Sequence, residues 1–229
     1  MAVNLSDVIG AIPIVGIGLV GLVNWISAWK LLTMPYYITK PIVLLGLILY
    51  LVTKVPVTPA RLPFVLGLLF SLLGDILLIP KGNRWFLAGM GAFSLTQLMY
   101  IWGFNRTLAP LPIMLVGIGV FVMAVVSIHL SVNRLAQTSS VQKNIVPFIK
   151  VYGSLVFAMT LSAILCSARI GWSFGAAAMA GVGGVLFLLS DGMIGMDKLD
   201  RRLPKYRFWI IFTYHIAQFL IAAAVIQLP

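Results

Sequence analysis

Apolar residues fall into eight long runs along the chain, and short polar or turn-forming clusters separate these runs. A helix that crosses a membrane needs about 20 predominantly apolar residues, and the runs are close to that length. The pattern therefore predicts eight transmembrane helices, at residues 8–28, 36–53, 62–80, 85–104, 109–130, 146–168, 172–196 and 208–228. The longest predicted loop covers residues 131–144.

The composition supports a membrane protein rather than a soluble or disordered one. Hydrophobic residues make up 61% of the chain and charged residues 9%, and the mean hydropathy is +1.08. A soluble domain has about 25% charged residues. Eight spans would occupy roughly 160 of the 229 residues, which leaves almost no room for a soluble domain. We therefore predict an all-α integral membrane bundle that forms a single transmembrane domain over residues 1–229.

The charges predict the orientation of this bundle. A net charge of +11 on a soluble chain would suggest a nucleic-acid partner, but here the basic residues lie mostly between apolar runs, so we expect no nucleic acid. Twelve of the 16 Lys and Arg follow the first, third, fifth and seventh spans or open the next helix. The positive-inside rule makes those loops cytoplasmic and places both termini outside. We favour a bacterial cytoplasmic membrane over the endoplasmic reticulum. The first run lacks the basic segment that begins a signal peptide, so we interpret it as a span.

The halves 1–108 and 109–229 share a weak pattern of polar positions. Corresponding residues lie 110 to 121 positions apart and form three pairs: Lys40 and Lys150, Asp75 and Asp191, and Gln97 and Gln218. Since each half holds an even number of spans, a duplication would give two parallel four-helix repeats. Apolar sequences also resemble one another by chance, so both interpretations remain open.

Two carboxylic acids are predicted to lie inside the membrane. Asp75 and Asp191 occur near the cytoplasmic ends of the third and seventh spans. Ionisable groups at such depths are costly and are functional candidates by default. A pair with one protonated and one ionised member can perform acid/base catalysis. The alternative is a structural role, in which each Asp pairs with a basic residue, Lys40 or Lys150, to hold the bundle together.

Other polar side chains in the spans are candidates for substrate binding. They are Lys40, Gln97, Tyr100, Tyr152, Tyr214, His215 and Gln218. Helical spacing puts Gln97 beside Tyr100, and Gln218 beside both Tyr214 and His215. Hydrogen bonds between helices are the structural alternative for this set. Two distant His and one Cys make a poor transition-metal set, so we predict no metal site of that kind and no cofactor. A carboxylate-held Mg²⁺ or Ca²⁺ stays open.

Several segments resemble one known family. They are Gly67–Asp75, Ala92–Tyr100, Gly184–Asp191, Thr213–Gln218 and the Lys40–Pro41 helix start. Together they are similar to the YhhN-like lysoplasmalogenase family, whose members are multipass membrane hydrolases with about eight spans. The resemblance implies cleavage of the vinyl ether of lysoplasmalogens, which releases a fatty aldehyde and glycerophospho-ethanolamine or -choline.

The resemblance also implies roles for particular residues. The acids of the family pattern fall on Asp75 and Asp191, and its further polar positions fall on Lys40, Tyr152, Tyr214 and Gln218. The chain departs from the pattern at two positions. Gln97 stands where members carry His, and His215 stands where they carry a second Tyr. We expect His215 to face the same cavity as Gln97 and to take over the handling of protons.

Vinyl-ether hydrolysis suits these residue types. It begins with a proton delivered to carbon, and water then attacks the oxocarbenium-like centre, so a general acid and an anion or base are needed. Paired carboxylates serve this purpose in glycoside hydrolysis. A lysophospholipid is the expected partner, with its phosphate near Lys40. Two other classes remain open: a proton-coupled transporter or lipid scramblase, and a non-catalytic lipid-binding relative, which Gln97 favours.

Overall fold

A computed structural model describes residues 5–228, with side chains from residue 13 onward. Over this range it contains eight α-helices and no strand: α1 (Leu5–Trp29), α2 (Thr33–Lys54), α3 (Leu62–Leu77), α4 (Asn83–Phe104), α5 (Leu111–Gln137), α6 (Val146–Ile164), α7 (Phe174–Lys198) and α8 (Tyr206–Ile226). A 3₁₀ turn, Leu165–Ala168, extends α6. Each predicted span coincides with one helix, so the all-helical prediction is confirmed.

Two of the predicted boundaries are wrong, and so is the Lys40–Pro41 helix start, because α2 begins at Thr33 and Pro41 lies inside it. The predicted loop 131–144 begins too early, because α5 continues to Gln137. Its last turns carry Val132 and Leu135 at helical spacing, and both pack with Ile145 and Ile149 in one apolar cluster. The predicted third span ends too late. α3 stops at Leu77, because the approach to Pro80 disfavours helical backbone.

The outer surface of the bundle is apolar. Large hydrophobic side chains such as Leu19, Val116 and Phe174 are exposed, and α5 buries only Gly117 and Val132. Polar groups, in contrast, lie in the interior. Five helices are long and apolar enough to cross a membrane by length and composition, namely α2, α5, α6 with its 3₁₀ turn, α7 and α8. An apolar exterior around a polar interior needs lipid to cover it, which indicates a membrane protein.

Seven of the helices form a closed circuit of contacts. The order is α1, α2, α3, α4, α6, α7 and α8, and α8 returns to α1 while also touching α2 and α3. α5 lies outside this circuit and packs mainly on α6. The first and fifth helices, which a duplication would relate, thus have different surroundings, and the predicted repeat stays a prediction. Short connections make successive helices antiparallel, so the starts of α2, α4, α6 and α8 share one end of the bundle.

Glycine allows the circuit to close tightly. A Cβ at Gly67 of α3 would lie 2.2 Å from the ring of Tyr100 on α4, and a Cβ at Gly74 would lie 2.6 Å from Phe93. Between α7 and α8, a Cβ at Gly183 would lie 3.0 Å from the carbonyl oxygen of Ala217. Small residues permit this close approach of helices in lipid. The short separation brings polar side chains of neighbouring helices within hydrogen-bonding distance of each other.

Two arginines hold the opposite end of the bundle. Arg61 donates to the carbonyl oxygen of Val225 at 3.4 Å, and Arg169 donates to the Ser162 carbonyl at 2.6 Å and to Asn105 Oδ1 at 2.5 Å. Both arginines are buried. They therefore have structural partners among backbone and amide oxygens, at the end away from Asp75 and Asp191.

Candidate active site

Asp75 lies in a buried ion pair. Its Oδ1 is 2.9 Å from Nζ of Lys40, and its side chain is fully buried. The hydroxyl of Tyr214 donates to Oδ2 at 3.2 Å, and the Lys40 ammonium also lies over the Tyr214 ring, 5.8 Å from its centroid. Helices α2, α3 and α8 thus each supply one member of this group. Three residues that the sequence singled out are brought together here.

Asp191 has different neighbours. Its Oδ2 accepts a hydrogen bond from the hydroxyl of Tyr152 at 2.5 Å and a long one from Nε2 of Gln97 at 3.5 Å. Helices α7, α6 and α4 supply these three residues. No ion pair to Asp191, and none to Lys150, occurs between residues 13 and 228. The structural alternative that paired Asp191 with Lys150 is therefore wrong.

The two carboxyl groups belong to one region of the bundle. Tyr214, which donates to Asp75, has its ring centroid 5.6 Å from that of Phe187, and Phe187 lies one turn before Asp191 on α7. The antiparallel order of the helices explains this meeting, because Asp75 and Asp191 lie near the ends of their helices whereas Lys40 and Tyr152 lie near the starts of theirs. We refer to Lys40, Asp75, Tyr152 and Asp191 as the carboxylate cluster. In this cluster the carboxyl group of Asp75 lies beside a cation, and that of Asp191 lies beside neutral hydrogen-bond donors.

A second set of polar residues forms a buried chain of hydrogen bonds. The hydroxyl of Tyr100 donates to Oε1 of Gln218 at 2.7 Å, and Nε2 of Gln218 donates to Ser71 Oγ at 3.0 Å. Ser71 in turn lies 3.1 Å from Oγ1 of Thr96. The predicted candidates Tyr100 and Gln218 therefore bond to each other, which suits a positioning role. Sequence reasoning missed Ser71 and Thr96, although Ser71 precedes Asp75 by four residues and shares its helix face.

His215 does not face the same neighbours as Gln97. Nδ1 of His215 accepts a hydrogen bond from Trp25 Nε1 of α1 at 3.1 Å, whereas Gln97 turns to Asp191 on α7. The two residues therefore have hydrogen-bond partners on different helices, α1 and α7, and these contacts do not support the expectation that both face one cavity. Since Trp25 donates to Nδ1, a neutral His215 carries its proton on Nε2, and this buried atom has no hydrogen-bond partner among the described residues.

A cavity of about 200 Å³ adjoins Asp191 and Tyr152. Its walls come from α4, α5, α6 and α7, with Leu78 from the turn directly after α3. Asp191 and Tyr152 are its only polar lining groups within the described range. A hydrocarbon chain fits such walls better than water, which needs polar partners. No group of three or more His, Cys, Asp or Glu side chains converges to hold a metal ion within residues 13–228, whose side chains the structure describes.

Comparisons with known proteins place the chain among named relatives. The human protein "Lysoplasmalogenase TMEM86B" is 28% identical over 164 residues, which are 71% of this chain and 63% of the human one. The bovine protein "Lysoplasmalogenase TMEM86A" is 28% identical over 169 residues, which are 74% of this chain and 67% of the bovine one. The match thus spans less than two thirds of the human relative's length. No solved structure matches the chain.

A family model provides the wider match. It is the model of the YhhN family, and it covers residues 36–225, from the start of α2 to the end of α8. This range includes Asp75, Asp191 and every other candidate site residue. Because the model matches most of the sequence, the chain belongs to the YhhN family.

Proposed function

We propose that this protein is a membrane-embedded lysoplasmalogenase. It would hydrolyse the vinyl-ether bond of a lysoplasmalogen to a fatty aldehyde and a glycerophospho-ethanolamine or -choline. The observation that carries the proposal is that two buried carboxyl groups have unlike surroundings. Asp75 pairs with Lys40, whereas Asp191 accepts from Tyr152 and borders an apolar cavity. The names of the mammalian relatives support the same substrate class.

Asp191 is proposed as the general acid. Tyr152 and Gln97 both donate to its Oδ2, whereas Oδ1 has no hydrogen-bond partner in the described part of the chain and is free to carry the proton. Oδ1 would deliver this proton to the vinyl carbon nearer the hydrocarbon chain. The double bond then shifts its electrons to that carbon, and the ether oxygen shares the positive charge of the resulting oxocarbenium ion. Fixed donors on Oδ2 keep the carboxyl oriented for the transfer.

Asp75 is proposed as the stabilising carboxylate. Its ion pair with Lys40 fixes a negative group near the oxocarbenium ion, and such preorganised charge lowers the barrier where charge develops. Water adds to the carbon next to oxygen, and its proton returns to the carboxylate of Asp191. In the hemiacetal so formed, the bond to the glycerol oxygen then breaks as Asp191 gives its proton to that oxygen. The hemiacetal hydroxyl loses its own proton to the Asp191 carboxylate as the aldehyde forms and leaves. The sequence of steps consumes one water and regenerates the acid.

Gln97 has a positioning role in this scheme. Its amide cannot exchange a proton near neutral pH, but its Nε2 donates to Asp191 while its buried Oε1 has no partner within the described residues. A water bound to that oxygen would sit beside the reacting carboxyl. Tyr214, Tyr100 and Gln218 support the cluster from α8 and α4. His215 accepts a hydrogen bond from Trp25 on α1, and it is proposed to donate from Nε2 rather than to act on the vinyl ether.

We also propose that all eight helices span the membrane, with both termini outside. The uneven distribution of basic residues supports this orientation, which puts the carboxylate cluster in the cytoplasmic half. Reporter fusions at the C-terminus and within residues 138–145 test it. The two fusions should report opposite sides, with the 138–145 fusion cytoplasmic. A cytoplasmic C-terminal reporter would contradict the eight-span arrangement.

An aldehyde assay with purified protein tests the proposed function. Protein in lipid nanodiscs should release fatty aldehyde from lysoplasmalogen and none from the saturated ether analogue, because only the vinyl bond accepts the proton. Absence of aldehyde would contradict the proposal. Proteoliposomes distinguish the rivals, since a transporter or scramblase would move labelled lysolipid between leaflets without cleavage, and a lipid-binding relative would do neither.

A further inference from the structure

The cavity beside Asp191 runs along one face of α7. Its lining on this helix extends from Leu188 past Asp191, Gly192 and Gly195 to Met196, and it continues at Leu199, the residue directly after the helix. Eight residues separate Asp191 from Leu199, which corresponds to about 12 Å along the helix. The proposed acid therefore lies near one part of the cavity, and an apolar channel about two turns long continues from it.

We propose that this cavity holds the first part of the substrate's hydrocarbon chain and that Gly195 determines how much of that chain it accepts. The inference rests on the proposed function. In a vinyl ether the hydrocarbon chain is attached directly to the carbon that receives the proton, so the chain must begin where Asp191 acts. The lining beyond Asp191 and Tyr152 is apolar or glycine, which matches a hydrocarbon and does not match a phosphate or a headgroup.

The volume of the cavity limits the length of chain it can hold. An apolar cavity of roughly 150 Å³ accommodates benzene, with six carbon atoms. By that proportion, the cavity of about 200 Å³ has room for about eight carbon atoms. Carbons beyond the eighth would lie outside it and contribute little to binding.

Gly192 and Gly195 keep this space open, unlike Gly183 of the same helix, which brings α7 close to α8. A Cβ at Gly192 or Gly195 would meet no heavy atom within 4 Å. Gly67 of α3 differs, because a Cβ there would collide with Tyr100. A leucine at position 195 can therefore be accommodated without a backbone shift, and its side chain would fill the middle of the channel, about 6 Å along the helix from Asp191.

A chain-length series tests the inference. The ligands are saturated 1-O-alkyl lysophosphatidylcholines with 4 to 14 carbons, which lack the vinyl bond and are not cleaved. Their affinity is measured by ligand-induced thermal stabilisation of the protein in nanodiscs and by inhibition of aldehyde release. For the wild type, affinity should rise about fourfold for each added methylene, equivalent to about 0.8 kcal/mol, and should level off at about eight carbons. In Gly195→Leu, affinity should stop rising at about four carbons.

The control is Gly119→Leu on α5, where a Cβ also meets nothing within 4 Å but the position does not line the cavity. This variant should follow the wild-type series. Equal series for wild type and Gly195→Leu, or an affinity that rises steadily to 14 carbons, would overturn the inference. If affinity levels off with chain length as predicted but neither the wild type nor the variants release aldehyde, the proposed function fails and the chain-binding cavity stands. If aldehyde is released but affinity does not level off with chain length, only the inference about the cavity fails.

Discussion

The two carboxyl groups should differ in their effect on stability. Asp75→Asn removes the partner of Lys40 and leaves an ammonium group in the interior, where the Lys40 side chain is 11% exposed. Removal of one member of a buried ion pair costs about 3–5 kcal/mol. Asp191→Asn removes no ion pair, and the amide oxygen can still accept from Tyr152. Its cost should stay near the value of a single hydrogen bond, about 0.5–1.5 kcal/mol.

The free energy of unfolding, measured by SDS titration of the purified protein in mixed micelles, tests this difference. We expect the folding equilibrium constant to fall more than about 100-fold for Asp75→Asn and about tenfold or less for Asp191→Asn. The double variant Lys40→Met, Asp75→Asn should recover most of the loss, because the uncompensated charge is gone. Equal losses for the two Asn variants, or a double variant no more stable than Asp75→Asn, would refute the assignment of the ion pair.

Three further predictions concern packing, pH and the departure from the family pattern. Gly67→Ala should lower the unfolding free energy by about 1–3 kcal/mol, because the new methyl displaces the Tyr100 ring; an unchanged thermal midpoint would contradict this packing. Outside the membrane, the backbone N–H and hydroxyl of Ser140 donate to Asp200 and hold the pKa of that carboxyl below its ordinary value. This link between two loops should persist above about pH 4 and weaken as the pH falls through the lowered pKa. Asp200→Ala, which removes the acceptor, should at pH 7 expose residues 138–145 to limited proteolysis as acid does. His215→Phe should retain at least about a tenth of wild-type turnover, because only loss of a group that transfers the proton directly lowers the rate by about 100-fold. Loss of all turnover in a folded variant would show that His215 takes part in the reaction.

Helix positions followed from the sequence because the apolar runs and their breaks depend on local residue type. The prolines and polar clusters end the spans near the observed boundaries. The start of the 131–144 loop was misplaced, because residues 131–137 mix polar positions with Val132 and Leu135 in a helical period that composition alone does not reveal. Periodicity would have extended α5 by two turns.

The partners of the site residues followed less directly. Lys40 and Asp75 lie on neighbouring helices at the same end, so their pairing was among the open alternatives and the structure contains it. Asp191 pairs with Tyr152 instead of Lys150, because residues two apart point to different sides of α6. The bond from Trp25 to His215 joins residues 190 positions apart, and nothing in either segment indicates it. A cavity depends on space between four helices, so it also required the structure.

The central claim is that Asp191 is the acid that protonates the vinyl ether. The most direct test is the rate of aldehyde release from lysoplasmalogen by Asp191→Asn, with Asp197→Asn as the matched control, since Asp197 lies near the end of the same helix and pairs with Arg202. The wild type and Asp197→Asn should release aldehyde at similar rates, and in D₂O their product should carry one deuterium at the carbon next to the carbonyl. Asp191→Asn should be slower by at least about 100-fold while remaining folded. Normal release by folded Asp191→Asn would contradict the claim.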